Sequence, residues 1–173
     1  MVFKNNRTVK TGRPIFFTPN NQAIRAGGVI FRRKNIFTGK EEWLMQLSYE
    51  KANQTKGAKK YSDLGGKIDR GDQCIEHTIS RECCEESNKV ISSINWRKAK
   101  YVYIPDSRYL LVFVEANHRI SRLKSSNFGM YEVGYDDWKR FRKIEWVDPY
   151  TACKQFHVRL RYIKTNIKQI RCR

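Results

Sequence analysis

Four charged residues within one short segment have the types and spacing to do chemistry: Arg81, Glu82, Glu85 and Glu86. The pattern around them predicts a helix over residues 74–87, with a buried side marked by Ile75, Thr78, Ile79 and Cys83. Glu82 and Glu86 are one turn apart on that same side, and Glu85 projects from the neighbouring edge. Three carboxylates therefore converge at one end of the predicted helix.

Like charges placed this close together cost free energy unless a cation neutralises them. Carboxylate oxygens are hard ligands, which favour Mg²⁺ or Mn²⁺ over zinc. Arg81 can hold one carboxylate in position but cannot balance all three. The alternative is an ordinary, solvated, glutamate-rich helix end.

Residues 66–88 resemble the sequence box of the Nudix hydrolase family, G-x5-E-x7-R-E-U-x-E-E-x-G-U, in which U is a bulky apolar residue. Gly66 begins the box, and the stretch from Arg81 to Glu86 supplies its R-E-x-x-E-E core. The sequence departs from the pattern at three places. Asp72 stands where the first glutamate is expected, with eight residues before Arg81 instead of seven, Cys83 fills an apolar place, and Asn88 replaces the last glycine.

The last exchange is physically mild, because asparagine tolerates the left-handed conformation that ends many helices. The additional residue is expected in the loop or first turn before Ile79, since the register of Ile79, Cys83 and the acids is intact. These departures leave the role of Asp72 open.

The resemblance implies hydrolysis of the diphosphate in a nucleoside diphosphate linked to another group X. It implies that Glu82, Glu85 and Glu86 hold Mg²⁺ or Mn²⁺ together with the backbone carbonyl of Gly65, and that Arg81 orients Glu82. The general base is either a box glutamate or an acid in the loop before the last helix. The loop candidates are Glu132, Asp136 and Asp137, of which we favour Glu132.

The elements that must position these residues read as a single mixed α/β domain. A strand hairpin over residues 25–49, two strands around Pro105 and a short strand at residues 144–147 accompany the box helix. Residues 65–66 read as a Gly-Gly turn, and apolar steps of four and three predict a closing helix over residues 151–170. By resemblance, a mixed sheet is sandwiched between helices in residues 22–173. Residues 1–21, basic and with little periodicity, are expected to form an extended arm before it.

The chain carries 35 Lys and Arg against 17 Asp and Glu, a formal charge of +18. Such an excess predicts a polyanionic partner, and no apolar run long enough to span a bilayer accompanies it. The five cysteines lack C-x-x-C spacing, which favours free thiols over disulfides or zinc. We therefore expect a soluble, cytoplasmic protein (in the host cytoplasm if the protein is viral), and the sequence leaves its oligomeric state open.

Substrate contacts are expected where cations or aromatic rings lie near the box. Lys67, just after the two glycines, is suited to a phosphate oxygen. Other candidates to hold phosphates, or to stack on a cap guanine or an unpaired base, are Tyr61, Arg33, Tyr135 and Trp138. The charged stretch over residues 135–143 is the favoured RNA or cap contact.

A broad basic surface suits a long RNA better than a free nucleotide, so hydrolysis of the 5′ cap of RNA is our leading expectation. The composition and compact box are also similar to Nudix proteins of large cytoplasmic DNA viruses, some of which decap mRNA. One alternative is a small substrate: an oxidised nucleotide, a dinucleoside polyphosphate, ADP-ribose or a diphosphoinositol polyphosphate. The other is a non-catalytic RNA-binding module with the same fold.

Overall fold

A computed structural model describes residues 5–8, 12–49, 58–131 and 142–163, with ten strands, four complete α-helices and a further helical stretch at residues 161–163. The strands are β1 Asn5–Thr8, β2 Pro14–Phe17, β3 Ala23–Ile24, β4 Ala26–Lys34, β5 Glu41–Tyr49, β6 Lys59–Ser62, β7 Leu64–Lys67, β8 Lys100–Ile104, β9 Tyr109–Glu115 and β10 Arg142–Val147. The helices are α1 Ile75–Glu86, α2 His118–Ser121, α3 Ser125–Phe128 and α4 Pro149–Cys153. Across these ranges, no helix has the length and apolar character needed to cross a membrane.

The main sheet has seven strands around β4, in the order β10-β5-β4-β9-β8, with β6 paired to β5 and β7 paired to β4. Strands β4 and β9 run parallel, and the other pairs of this sheet are antiparallel. One edge of β4 is shared, because its first half pairs with β7 and its second half with β5. Strand β7 is thereby held at the beginning of the central strand.

Both faces of this sheet are covered, which explains why β4 and β9 read as nearly continuous apolar runs. Helix α1 packs Ile75, Ile79 and Cys83 into the core on one face. A second core holds Ala152 of α4 and Leu160 of the segment that follows α4. The predicted mixed α/β class, with a sheet between helices, is confirmed, and so are the β4–β5 hairpin and α1.

The prediction of one closing helix over residues 151–170 is wrong for the part that the structure describes. Helix α4 ends at Cys153, a 3-10 turn follows at residues 158–160, and α-helix resumes at residues 161–163, so the predicted helix is interrupted between residues 154 and 160. Between them Phe156 forms a bridge with Tyr61, whose backbone N–H donates to Gln155 and whose carbonyl accepts from His157. Backbone groups committed to β6 cannot complete a helix, although the apolar side chains are buried as the periodicity indicated.

Two other expectations differ from the structure. Residues 65–66 lie inside strand β7 and do not form a turn, because both pair with β4. Residues 14–17 of the predicted arm form strand β2 of a separate sheet, β1-β2-β3, and Phe16 is fully buried against the main core. Burial of this aromatic side chain ties that part of the N-terminal segment to the domain.

Candidate active site

Helix α1 is fixed at both ends, which sets the direction of its acids. At its start the Cys74 side chain accepts a hydrogen bond from the His77 backbone N–H. Just past its end, Asn88 takes a φ of 53°, the left-handed conformation anticipated from the sequence. The Asn88 side chain also donates to the carbonyl of Phe128 at 2.7 Å, which ties the helix end to α3.

Glu86, in the last turn of α1, reaches strand β7. Its Oε2 accepts a hydrogen bond from the Gly65 N–H at 2.6 Å. In an antiparallel pair, the N–H and C=O of one residue point to the same side. Because the Gly65 N–H is directed at Glu86 and not at β4, the Gly65 carbonyl oxygen faces the same open side of β7. Gly65 also needs to lack a side chain, since a Cβ there would stand 2.3 Å from Gly28 Cα.

Glu82, one turn earlier, lies against the next residue of β7. A Cβ on Gly66 would stand 2.3 Å from Glu82 Oε2, so the carboxylate occupies the space that a side chain would fill. The Glu82 side chain is 17% exposed. Burial raises the pKa of the Glu82 carboxyl, and Arg81 only partly offsets this while the charges of Glu85 and Asp72 add to it. A further cation close to Glu82 would therefore stabilise the charged form of its carboxylate.

Arg81 is surrounded by acceptors. Its Nη1 contacts Glu82 Oε1 at 2.9 Å and Glu85 Oε2 at 3.1 Å, and its Nη2 donates to the carbonyl of Lys67 at 3.0 Å. Its Nε and Nη2 also form a two-pronged contact with Asp72, each at 3.1 Å. Burial alone would lower the pKa of the guanidinium, but these hydrogen bonds and charges outweigh it and raise the pKa.

Asp72, whose role the sequence left open, is the buried partner of Arg81. Its side chain is 2% exposed, and Oδ2 also accepts from the Thr78 hydroxyl at 2.9 Å and the Asp69 N–H at 2.8 Å. Burial would raise the pKa of this carboxyl, but the hydrogen bonds, from Arg81 first, lower it. Asp72 thus fixes the loop before α1 and the orientation of Arg81.

The oxygen atoms of these residues are suited to bind a hard divalent cation, although the three carboxylates of α1 do not converge on one point. Within the described ranges, no group of three His, Cys, Asp or Glu side chains forms a preassembled metal site. Glu82 and Glu85 turn to Arg81, while Glu86 contacts β7. Yet Glu82 and Glu86 approach two consecutive residues of one strand: Glu82 lies in the space that Gly66 leaves open, and Glu86 binds the Gly65 N–H. Carboxylate and carbonyl oxygens at that place are ligands of the kind that Mg²⁺ or Mn²⁺ takes.

The other predicted contacts are dispersed. Lys67 is exposed beside the acids. Tyr61 is 8% exposed in the second core and donates to Glu145 at 2.9 Å, which raises its pKa to about 12 through burial first and Glu145 second. Arg33, near the other end of β4, pairs with Glu42 at 2.7 Å and lies 4.2 Å from the Trp146 ring. Glu132, Tyr135, Asp136, Asp137 and Trp138 lie outside the described residues.

A second charged cluster beside Gly65 was not found from the sequence. The fully buried Asp63 accepts from the Tyr109 hydroxyl at 2.5 Å and from Arg159 Nε at 3.0 Å. The three residues come from separate elements, and Arg159 lies 96 positions from Asp63. The sequence signal was limited to an acid two positions before the two glycines.

No protein-family model and no curated protein matches the chain. Among solved structures, the chain is similar to the Nudix domain of Shewanella oneidensis NrtR, determined in complex with ADP-ribose. The identity is 13% and the TM-score 0.45, over 85% of this chain and 88% of that one.

Proposed function

We propose that the protein is a metal-dependent hydrolase of the Nudix type, which cleaves a diphosphate linkage in a nucleoside diphosphate-X substrate. The observation that carries the proposal is the approach of two carboxylates, Glu82 and Glu86, to the glycine pair of β7. Together with Glu85 and the Gly65 carbonyl, they are the residues that would hold Mg²⁺ or Mn²⁺. The bound metal would neutralise the diphosphate and lower the pKa of an attacking water.

The remaining residues of the cluster serve this arrangement. Arg81, fixed by Asp72, holds Glu82 and Glu85 in place. Lys67 is exposed next to the glycines, where its ammonium can bind a phosphate oxygen of the substrate. Glu86 is a candidate to take a proton from the attacking water, and Glu132 is the alternative base.

Within this chemistry, we propose the 5′ cap of RNA as the substrate. The support is the charge of +18, which favours a long polyanion whose binding depends steeply on salt. The same charge also suits a small, densely phosphorylated molecule, so that alternative has to be tested directly.

The substrate test compares cap-labelled RNA, free cap dinucleotide, ADP-ribose, a diphosphoinositol polyphosphate and an oxidised nucleotide, each with Mg²⁺ or Mn²⁺. Release of capped-nucleoside diphosphate from RNA, with little turnover of the free cap, is the expected result. Turnover of small substrates alone would contradict RNA decapping and leave the hydrolase assignment standing. Binding of RNA without hydrolysis of any substrate would favour the non-catalytic alternative.

The metal assignment is tested with Glu86→Gln, which keeps the shape of the side chain and removes its charge. We expect a loss of at least about 100-fold in kcat on the substrate found above, with substrate affinity unchanged or higher. Glu76→Gln is the matched control, because it changes a glutamate in the first turn of the same helix, at the opposite end from Glu86. Full activity of Glu86→Gln would refute the assignment.

A further inference from the structure

The ion pair of Asp63 and Arg159 lies across Gly65 from the acids of α1. The Tyr109 hydroxyl, bound to Asp63, would stand 2.5 Å from a Cβ on Gly65, and the Gly65 N–H is bound to Glu86. Glu86 and the Asp63–Tyr109 pair therefore meet at one residue of β7. Arg159, held by Asp63 at 3.0 Å, brings its positive charge to the same place.

Such a pair is costly to bury, and apolar residues of similar volume often serve stability as well or better. Asp63 is fully buried and accepts three hydrogen bonds: from Tyr109 and Arg159 to its carboxylate, and from Arg159 Nη2 to its backbone oxygen at 3.4 Å. The Arg159 guanidinium also lies 5.3 Å from the centre of the Tyr109 ring. These contacts fix the guanidinium in one orientation, which is the requirement for a binding group more than for a stable core.

We propose that Arg159 is a phosphate-binding residue of the candidate site, one that contacts the substrate diphosphate from the side opposite the α1 acids. The inference rests on the proposed function and adds a residue that the sequence box does not contain. A guanidinium is suited to this task because its planar fork matches two oxygens of a phosphate.

Within the described part of the chain, the contacts of Arg159 leave one of its nitrogen atoms available for this role. Its contacts with Asp63 use Nε and Nη2, and no hydrogen bond involving Nη1 is found among the residues that the structure describes. Its side chain is 23% exposed, whereas the Asp63 side chain is fully buried. A substrate oxygen can therefore be bound without breaking the buried pair.

Electrostatics favour the same assignment. Burial alone would lower the pKa of the Arg159 guanidinium, but the charge of Asp63, with smaller effects of Tyr109 and Glu86, raises the pKa. Arg159 is thus a permanent cation within the field of Glu86. A diphosphate approaching three glutamates needs positive charge on more than one side, and a fixed guanidinium supplies it without reorganisation.

The test measures binding of imidodiphosphate, a diphosphate analogue with a P–N–P bridge, by calorimetry on the full chain with Mg²⁺ and again with EDTA. Arg159→Gln is expected to weaken binding at least about tenfold in both conditions, and Arg159→Lys to weaken it less. Lys154→Gln removes one positive charge from an exposed position at the end of α4 and is expected to bind as the wild type does. Wild-type affinity in Arg159→Gln would overturn the inference.

Arg159→Gln also leaves the Asp63 carboxylate buried without its cation, so a loss of folding has to be separated from a loss of binding. The double variant Asp63→Asn/Arg159→Gln replaces the ion pair with two amides that can bond to each other. We expect its melting temperature to recover toward the wild type while imidodiphosphate binding stays weak. If the double variant regains binding as well as stability, Arg159 has only a structural role and the inference fails.

The inference and the proposed function fail in different ways. A chain that binds imidodiphosphate through Arg159 but hydrolyses no diphosphate substrate would contradict the proposed function alone. A chain that hydrolyses its substrate with the same KM and the same analogue affinity in both Arg159 variants would contradict the inference alone.

Discussion

Two buried aspartate–arginine pairs flank β7, and they differ in how the chain builds them. Asp72 and Arg81 are nine positions apart, whereas Asp63 and Arg159 are 96 positions apart. Their exposure is nearly the same: the side chains of the aspartates are 2% and 0% exposed, and those of the arginines 25% and 23%. The difference therefore lies in connectivity and in the number of partners, not in burial.

Among the residues that the structure describes, Arg81 has other acceptors besides its aspartate, and Arg159 has none of comparable strength. Arg81 also contacts Glu82, Glu85 and the Lys67 carbonyl. The other contacts of Arg159 are the Asp63 backbone oxygen at 3.4 Å and the face of the Tyr109 ring. The local pair is thus one part of a network that can rearrange, while the distant pair depends on a single carboxylate.

The largest expected effect comes from removing each aspartate in turn. Asp63→Ala should lower the free energy of unfolding by about 3–5 kcal/mol, because it leaves a guanidinium and the Tyr109 hydroxyl without their buried acceptor. Asp72→Ala should cost less, about 1–3 kcal/mol, because Arg81 keeps its other acceptors. Urea denaturation at neutral pH measures both values, and equal costs for the two variants would contradict the comparison.

The same contrast explains what the sequence could predict. Helix α1, its acids and its left-handed end depend on neighbours within a few turns, and local spacing carries that information. The partner of Arg81 is also local. The Nudix pattern marks Asp72 as a departure from an expected glutamate, not as a carboxylate that pairs with Arg81. A local pairing of Asp72 with Arg81 was within reach of the sequence alone.

Pairings between distant parts of the chain could not be predicted from the sequence. The bridge between Tyr61 and Phe156 interrupts the predicted closing helix, and no residue near Phe156 in the sequence indicates this bridge. Arg159 reads as one more cation in a basic segment until the fold brings it to Asp63. Tyr61, expected at a substrate, is packed in the second core and bound to Glu145, because an aromatic side chain in a strand suits either setting.

A smaller effect on the unfolding free energy is expected from pH, and it concerns only the pair of Asp72 and Arg81. The pKa of the Asp72 carboxyl is lowered from its ordinary value of 3.8 in the folded protein by its hydrogen bonds, Arg81 first, despite burial. Its contribution to stability is therefore present above pH 3.8 and is lost as the pH falls through the lowered folded-state pKa. Asp72→Asn lacks this contribution, so the difference in unfolding free energy between it and the wild type should shrink below about pH 4. Urea midpoints between pH 7 and pH 3 measure it, and a difference that stays constant would rule out a lowered pKa.

The smallest effect on stability is expected at Gly66, although it bears directly on the acids that the local pair positions. Gly66→Ala places a methyl group 2.3 Å from Glu82 Oε2, the far end of a flexible side chain, so the carboxylate can move aside and the unfolding free energy should change by less than about 1 kcal/mol. Hydrolysis should nevertheless fall at least about tenfold, because Glu82 is displaced from β7. Gly71→Ala is the control: nothing lies within 4 Å of its added Cβ, and both stability and activity should match the wild type. Normal turnover in Gly66→Ala would mean that the contact of Glu82 with β7 is not part of the active arrangement, and that Arg81 holds this carboxylate for structure alone.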